Sequence, residues 1–282
     1  MGAGGTRSYF IAKELIEFGH EVHMICLNDE RASTGLNSPF KNGFREGFTE
    51  GIKVTEIDLN YSNHLKILNR AFVFLKYSLI SSIIVLSRDY DLVFASSTPL
   101  TAALPGIISK LFKGRKFIFE VRDSWPELPI ALGVIKNPFI IFFLSFFERI
   151  AYLSADKCIG LAPGICSGMK RKGVSNKKIS MIPNASDNKL FRPLNINCQK
   201  RPDLLPEIGK TLDRNSFIAA FTGAHGIANG LESLLDVASE LKRRKRNDIN
   251  IVFIGDGKCK FHLENLVKNE NLKNCFFLPS IS

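Results

Sequence analysis

The chain is short of acid. Its 27 Asp and Glu face 38 Lys and Arg, giving a formal net charge of +11. Such an excess asks for an anionic partner, whether nucleic acid, an anionic membrane surface or an anionic small molecule. Zinc-finger spacing, an aromatic RNA-binding signature and a helix-turn-helix pattern are all missing, which sets nucleic acid behind the membrane surface. The six cysteines, Cys26, Cys158, Cys166, Cys198, Cys259 and Cys275, are scattered, mostly inside apolar runs. No CxxC or Cys/His pairing exists to assemble a metal site, so no metal is expected. They read as reduced core residues of a cytoplasmic protein. The N-terminus carries no charged-then-apolar leader. Ala71–Ser87 contains Lys76 and several serines, and Phe139–Phe147 is short against the roughly 20 apolar residues a bilayer crossing needs. Lying on a membrane is therefore the expectation rather than crossing it.

What is present is the composition of a folded chain, with 45% hydrophobic and 23% charged residues in a length of 282 that accommodates two domains. The stretch Phe117–Gly133, FIFEVRDSWPELPIALG, holds the only tryptophan. Phe117, Ile118, Phe119 and Val121 suit a strand covered on both faces by helices. The charges of Glu120, Arg122, Asp123 and Glu127 begin where burial should end. In open α/β sheets, ligands bind in the crevice beyond the carboxyl ends of the strands, so these side chains are candidates for a site. Tyr90–Ala95 predicts a neighbouring strand, and Ser96, Ser97, Thr98 and Pro99 place small hydroxyl donors in the same crevice.

At the start, Gly2–Gly5 form a glycine-rich turn leading into a helix over Arg7–Phe18, with a strand at Glu21–Leu27. A glycine turn opening a helix leaves backbone N–H groups free for an anion. A dinucleotide fingerprint, with Asp29 as its acidic residue, fits poorly, because the third glycine it requires is replaced by Arg7. Asn37–Gly51 is rich in Gly, Asn and charge and predicts a long exposed loop. Ile52–Ile57 predicts a strand. His64–Ser87 predicts a long helix combining basic residues with Phe72, Phe74 and leucines, a pattern equally suited to packing on a sheet and to lying in a membrane interface. Asn137–Leu153 predicts a strongly apolar helix with Glu148 as its isolated acid, a carboxylate that must find a donor if buried.

Lys157–Leu161 and Ile179–Ile182 predict two further strands. Beyond PNASD the composition changes, and three prolines among several charges mark 193–215 as a linker between a domain over 1–192 and a second over 216–282. The second begins with a strand at Ser216–Phe221 and runs through Thr222–Gly226 into a helix closed by Lys242–Arg246, a basic run suited to the negative end of the helix dipole. Ile249–Ile254 and Cys275–Leu278 predict two more strands, the first turned by Gly255–Gly257.

The segments GAGGTRSYFIAKELIEFGHEV, FASSTPLTAALPG, FEVRDSWPELPIALGVIKNP, LAPG, IPNASD, TGAHGIANGLESLLDVA and FIGDGKCK span nearly the whole chain. Together they resemble glycosyltransferase family four of the GT-B fold. DSWPE and GAHGIANGL are similar to the branch that adds amino-deoxysugars such as N-acetylfucosamine in O-antigen and capsule assembly. The resemblance implies an α/β fold of two Rossmann-like domains facing a cleft, lacking here the first strand of the N-terminal domain and the last part of the C-terminal one. It implies a retaining, metal-free transfer, without cofactor, from a nucleotide-diphosphate sugar, expected to be UDP-linked. The implied acceptor is a polyprenyl-diphosphate-linked glycan at the anionic inner membrane surface, for a cytoplasmic protein bound there peripherally. A catalytically inactive remnant retaining membrane or partner binding is the alternative.

By the same resemblance Arg122, Asp123 and His225 are the catalytic candidates. Gly4, Gly5, Gly223, Ala224, Gly226, Asn229, Gly255 and Gly257 are the candidates for holding the donor diphosphate. Thr98, Trp125 and Glu127 fall on the acceptor side. The second glycine turn carries Thr222–His225 and Asn229 where many family members place an arginine and a lysine.

Overall fold

The computed structural model describes residues 6–29, 33–61, 67–97, 99–186, 188 and 216–280. The chain divides into two compact units, Met1–Ser186 and Asp187–Ser282; the predicted linker lies wholly outside the described residues.

The first unit alternates helices with mostly parallel strands, as the apolar runs predict. Its elements are α1 (Thr6–Glu17), β1 (His23–Asp29), β2 (Phe44–Thr49), β3 (Ile52–Tyr61), α2 (Ile67–Ser87), β4 (Leu92–Ser96) and α3 (Leu104–Lys113). They continue with β5 (Lys116–Val121), α4 (Glu127–Ala131), α5 (Pro138–Ser154), β6 (Lys157–Gly160), α6 (Pro163–Arg171) and β7 (Ile179–Met181). The strands form two sheets, ordered β1-β3-β2 and β4-β5-β6-β7. Among the described residues, β1 pairs only with β3 and β4 only with β5. The two sheets are tied by side chains, His23 of β1 meeting the Tyr90 hydroxyl at 2.5 Å and Tyr77 of α2 donating to Ile25 O at 2.9 Å.

The predicted loop over Asn37–Gly51 is in part a strand. β2 pairs antiparallel to β3 with Phe44 opposite Ile57 and Thr49 opposite Ile52. The two residues between them, Glu50 and Gly51, have φ of 49° and 81°, the double left-handed turn that matches the twist of a two-residue hairpin. Glycine and charge hid this hairpin because β2 is an edge strand whose residues are no more than half-buried.

The core of this unit lies on β5. Phe117, Phe119 and Val121 are buried against Ala151 and Tyr152 of α5, Cys158 of β6 and Met169 of α6. A Cβ at Gly106 of α3 would stand 2.1 Å from the Phe117 ring, so only glycine lets that helix settle on the strand. α3 ends at Gly114 in the left-handed conformation, with Lys110 and Lys113 in its last turn. α5 begins at Asn137, whose side chain accepts from the N–H groups of Phe139 and Ile140, followed by Pro138 at the first helical position.

The second unit repeats the alternation of strands and helices, with both helices on the Ile251–Phe253 face of its sheet. β8 (Phe217–Thr222), α7 (Glu232–Arg243), β9 (Ile249–Ile254), α8 (Lys260–Asn269) and β10 (Cys275–Leu278) build a parallel sheet ordered β10-β9-β8. Leu231, Leu235 and Ala238 pack with Leu263 on Ile251 and Phe253. Phe253 and Phe277 stack at 4.7 Å. Every predicted strand of this unit is present.

Candidate active site

At the carboxyl edge of the β4–β7 sheet the fold concentrates charge under cover. Glu120, next to last in β5, is fully buried. One carboxylate oxygen accepts from Arg7 Nε at 2.9 Å and the other from the Ser96 hydroxyl at 2.6 Å. Arg7, in the first turn of α1, spends its remaining nitrogens on the segment after β7. Its Nη2 donates to Ile182 O at 2.9 Å, and its Nη1 to Pro183 O at 2.9 Å and to Asn184 Oδ1 at 3.4 Å. A guanidinium that cannot lose its proton thus compensates a carboxylate removed from water, and each of the two carboxylate oxygens has a donor. Four separate chain segments, α1, the ends of β4 and β5 and the stretch after β7, are fastened at this edge.

The next residues hang from that frame. Ser97 N donates to Glu120 O at 2.8 Å, and the Ser97 hydroxyl accepts from Arg122 N at 2.8 Å. The backbone entering the predicted catalytic pair Arg122 and Asp123 is therefore pinned to the end of β4. Both side chains are half-buried at the sheet edge. Trp125 packs against the β5 core, before a cis bond to Pro126. Glu127, at the start of α4, pairs with Lys172 Nζ at 3.2 Å. Lys172 also binds the buried Glu148, which accepts a further bond from the Tyr152 hydroxyl at 2.7 Å. Burial pushes the Glu148 carboxyl up, against the opposing pull of Lys172 and Tyr152. The isolated acid of α5 has found its donors, and through Lys172 it anchors α4. Arg122, Asp123, Trp125 and Glu127 thus lie on one continuous segment at this edge; Thr98, Gly4 and Gly5 lie outside the described residues.

In the second unit, the glycine turns after β8 and β9 interlock backbone to backbone. Gly223 N donates to Ile254 O at 2.9 Å, His225 N to Asp256 O at 2.8 Å, and Cys259 N to His225 O at 2.9 Å. A Cβ at Gly255 would stand 2.0 Å from Gly223 O, and one at Gly257 would stand 2.5 Å from His225 O. Asn229 closes the first turn by donating to Ala224 O at 2.5 Å, and Lys260 Nζ bridges Gly255 O and Leu278 O at 3.0 and 3.1 Å. Gly223, Ala224, Asn229 and Gly257 are exposed on this edge, Gly226 is half-buried, and Gly255 is buried.

His225 differs from its expected role at the surface. Its ring is fully buried among Phe221, Phe253 and Phe277, and neither ring nitrogen has a hydrogen-bond partner among the described residues. The ring lies perpendicular to the stacked Phe253 and Phe277, at 90° and 80° and about equally far from both. Burial, then the Lys260 charge, holds its pKa below the ordinary histidine value. A neutral ring here is a plug beneath the glycine turns, and it is the His225 backbone that joins them.

Arg7 and Lys172, which carry this architecture, were not among the predicted site residues, and Glu120, expected among the charges of the open crevice, is instead fully buried. Arg7 was visible only as the side chain that spoils a dinucleotide fingerprint. Its partners are more than 110 residues away in sequence, and no local pattern announces such a pair. Among the described residues no group of three or more His, Cys, Asp or Glu side chains gathers as a metal site would require.

Two α/β units of this kind, each with its loops gathered at the carboxyl edge of a parallel sheet, define a GT-B glycosyltransferase fold. Residues 2–185 match the family model of the glycosyl transferase 4-like domain, and the chain belongs to that family. No curated protein matches it. Among solved structures, sucrose-phosphate synthase from Thermosynechococcus elongatus is similar with a TM-score of 0.67 at 15% identity, over 99% of this chain and 66% of the other. Trehalose-6-phosphate from E. coli bound with UDP-2-fluoro glucose gives 0.66 at 11%, over 100% and 72%. Anabaena HepE in complex with UDP gives 0.52 at 15%, over 82% and 56%. The chain therefore spans just over half the length of HepE.

Proposed function

We propose that the protein takes part in transferring a sugar, an amino-deoxyhexose in the narrowest reading, from a UDP-linked donor to a lipid-linked glycan with retention of anomeric configuration. The setting is surface polysaccharide assembly, of the O-antigen or capsule kind, by a cytoplasmic protein held at the inner membrane face. The observation that carries the reading is the pair of interlocked glycine turns in the second unit, where two backbone segments approach too closely for any side chain. The N–H groups of Gly223, His225, Gly255 and Gly257 close the interlock itself, which leaves those of Ala224 and Gly226 on the first turn to meet an anion. Structures of the same fold that contain UDP or a UDP-sugar support the donor class.

In this reading Gly223–Gly226 and Gly255–Gly257 bind the diphosphate, with Asn229 and Lys260 fixing their shape and His225 filling the space beneath. Preorganised N–H groups of this sort stabilise the charge that develops on a departing diphosphate. The first unit takes the acceptor. Arg122 supplies positive charge, Asp123 orients a hydroxyl, and Trp125 and Glu127 border the acceptor on a segment held by Ser97 and Lys172. The chemistry asks for neither metal nor cofactor. Replacing Arg122 by Ala and Asp123 by Asn tests the assignment: each should lower transfer at least about tenfold while leaving UDP affinity within about twofold. Equal loss of UDP affinity would instead place these residues in donor binding.

A further inference from the structure

α2, α3 and α5 lie side by side on one face of the first unit, α2 packing on α3 and α3 on α5. Within this layer α2 is apolar on its outward as well as its inward face. Its inward face carries buried Val85 and half-buried Phe74 and Tyr77 beside the buried Ser78, Ser81 and Ser82, and Ser78 and Ser82 bond back to the carbonyls of Phe74 and Ser78. Its outward face carries Leu68, Phe72, Leu75, Leu79 and Ile83, with Leu68 82% and Ile83 67% exposed. The outward face of a helix that meets water is ordinarily polar. The neighbours extend the apolar surface, α5 through Phe139, Phe142, Phe143 and Phe146 and α3 through Leu111 and Phe112, all exposed.

The charge on this surface has one sign. α2 and α3 contain no acid, and the only one on α5, Glu148, is buried and bound to Lys172. Lys76, Lys113 and Arg149 are exposed. We propose that the outer surface of the α2–α3–α5 layer docks peripherally on an anionic lipid bilayer, its phenylalanines and leucines entering the interface and its basic residues meeting lipid phosphates. Apolar anchors combined with exclusively basic charge match that occupant. A second copy of the chain docked through the same patch would bring like charges together.

α2 is long and apolar enough by composition to cross a membrane over Leu68–Ser87, yet its inner face is engaged. Tyr77 donates to Ile25 O at 2.9 Å, Arg115 Nη1 to Val85 O at 2.6 Å, and Phe74 stacks on Tyr61 at 5.2 Å. Crossing would tear α2 out of the unit; lying flat keeps these contacts. Crossover helices run antiparallel to their strands, so the amino-terminal turns of α2 and α5 flank the edge that holds Glu120 and Arg122. The docked layer thereby brings that edge to the lipid surface. The inference deepens the lipid-linked acceptor reading and rests on it for its purpose, although vesicle binding needs no donor.

The test is cosedimentation of the full chain with vesicles of phosphatidylglycerol mixed with phosphatidylcholine, and with phosphatidylcholine alone. The full chain should pellet with the anionic vesicles. Phe72→Gln with Leu79→Gln on α2, and separately Phe142→Gln with Phe146→Gln on α5, should each weaken binding at least about tenfold. Lys76→Gln with Lys113→Gln should weaken binding to the anionic vesicles alone. The two apolar pairs sit on different helices and point outward, and their circular dichroism should match that of the unaltered chain. A chain that stays in the supernatant, or variants that bind as well as the original, would overturn the proposal. So would a dimer in ultracentrifugation that the apolar variants dissociate while vesicles are ignored. Vesicle binding without UDP binding would sink the donor reading and leave this surface standing; UDP binding without vesicle binding would do the reverse.

Discussion

The Arg7–Glu120 pair decides how much of the first unit can be held at one edge. The carboxylate is fully buried and the guanidinium side chain is 12% exposed, so removing one partner strands the other without water. Arg7→Met should cost the first unit about 3–5 kcal/mol, the scale expected when a buried ion pair is broken from one side. Arg7→Met with Glu120→Gln should recover part of that loss, because no bare charge then remains. Trp125, the only tryptophan, reports on this unit by fluorescence during urea unfolding. A single variant no less stable than the double one would contradict the account. His23 makes a second prediction at this scale. Burial first, then the charges of Arg88 and Lys53, lowers its pKa from 6.5 to about 4. A base that resists protonation when folded adds stability that is complete above pH 6.5 and is lost as the pH falls toward 4, where the unfolded chain takes a proton the folded chain refuses. The Trp125 unfolding midpoint should fall across that window, and His23→Gln should flatten the fall. Superimposable profiles would remove His23 from the explanation.

Elements were legible where burial imposed a period. The parallel strands of both units follow their apolar runs, and the helix over Pro138–Ser154 begins where Asn137 and Pro138 mark its start. The hairpin of β2 and β3 was hidden because an edge strand needs no apolar run, although Glu50–Gly51 carried its turn signal. The glycine turns were legible as turns, but not their interlock, which depends on β8 and β9 lying side by side. Gly257→Ala tests that interlock, since a Cβ there meets the His225 backbone at 2.5 Å. The expected result is UDP affinity reduced at least about tenfold, as a misplacement of anion donors implies, with far-UV circular dichroism retained. Unchanged UDP affinity would separate the turns from donor binding.

Across the whole molecule, the α/β class and the family were readable because the motifs at strand ends recur along the chain. The assignment of roles was less so. Arg122, Asp123, Trp125 and Glu127 share a segment because that segment is continuous in sequence. Arg7, Glu120 and Lys172 act through folding that brings distant positions together, and His225 looked like a surface group because the aromatic enclosure around it comes from three different strands. The proposal that the second unit holds a nucleotide-diphosphate donor is tested most directly by calorimetric titration of the full chain with UDP and UDP-sugars. Saturable binding of one nucleotide per chain, weakened by Gly257→Ala and indifferent to Asp123→Asn, is the predicted result. A folded chain that gives no binding heat with UDP or any UDP-sugar at several temperatures would contradict it.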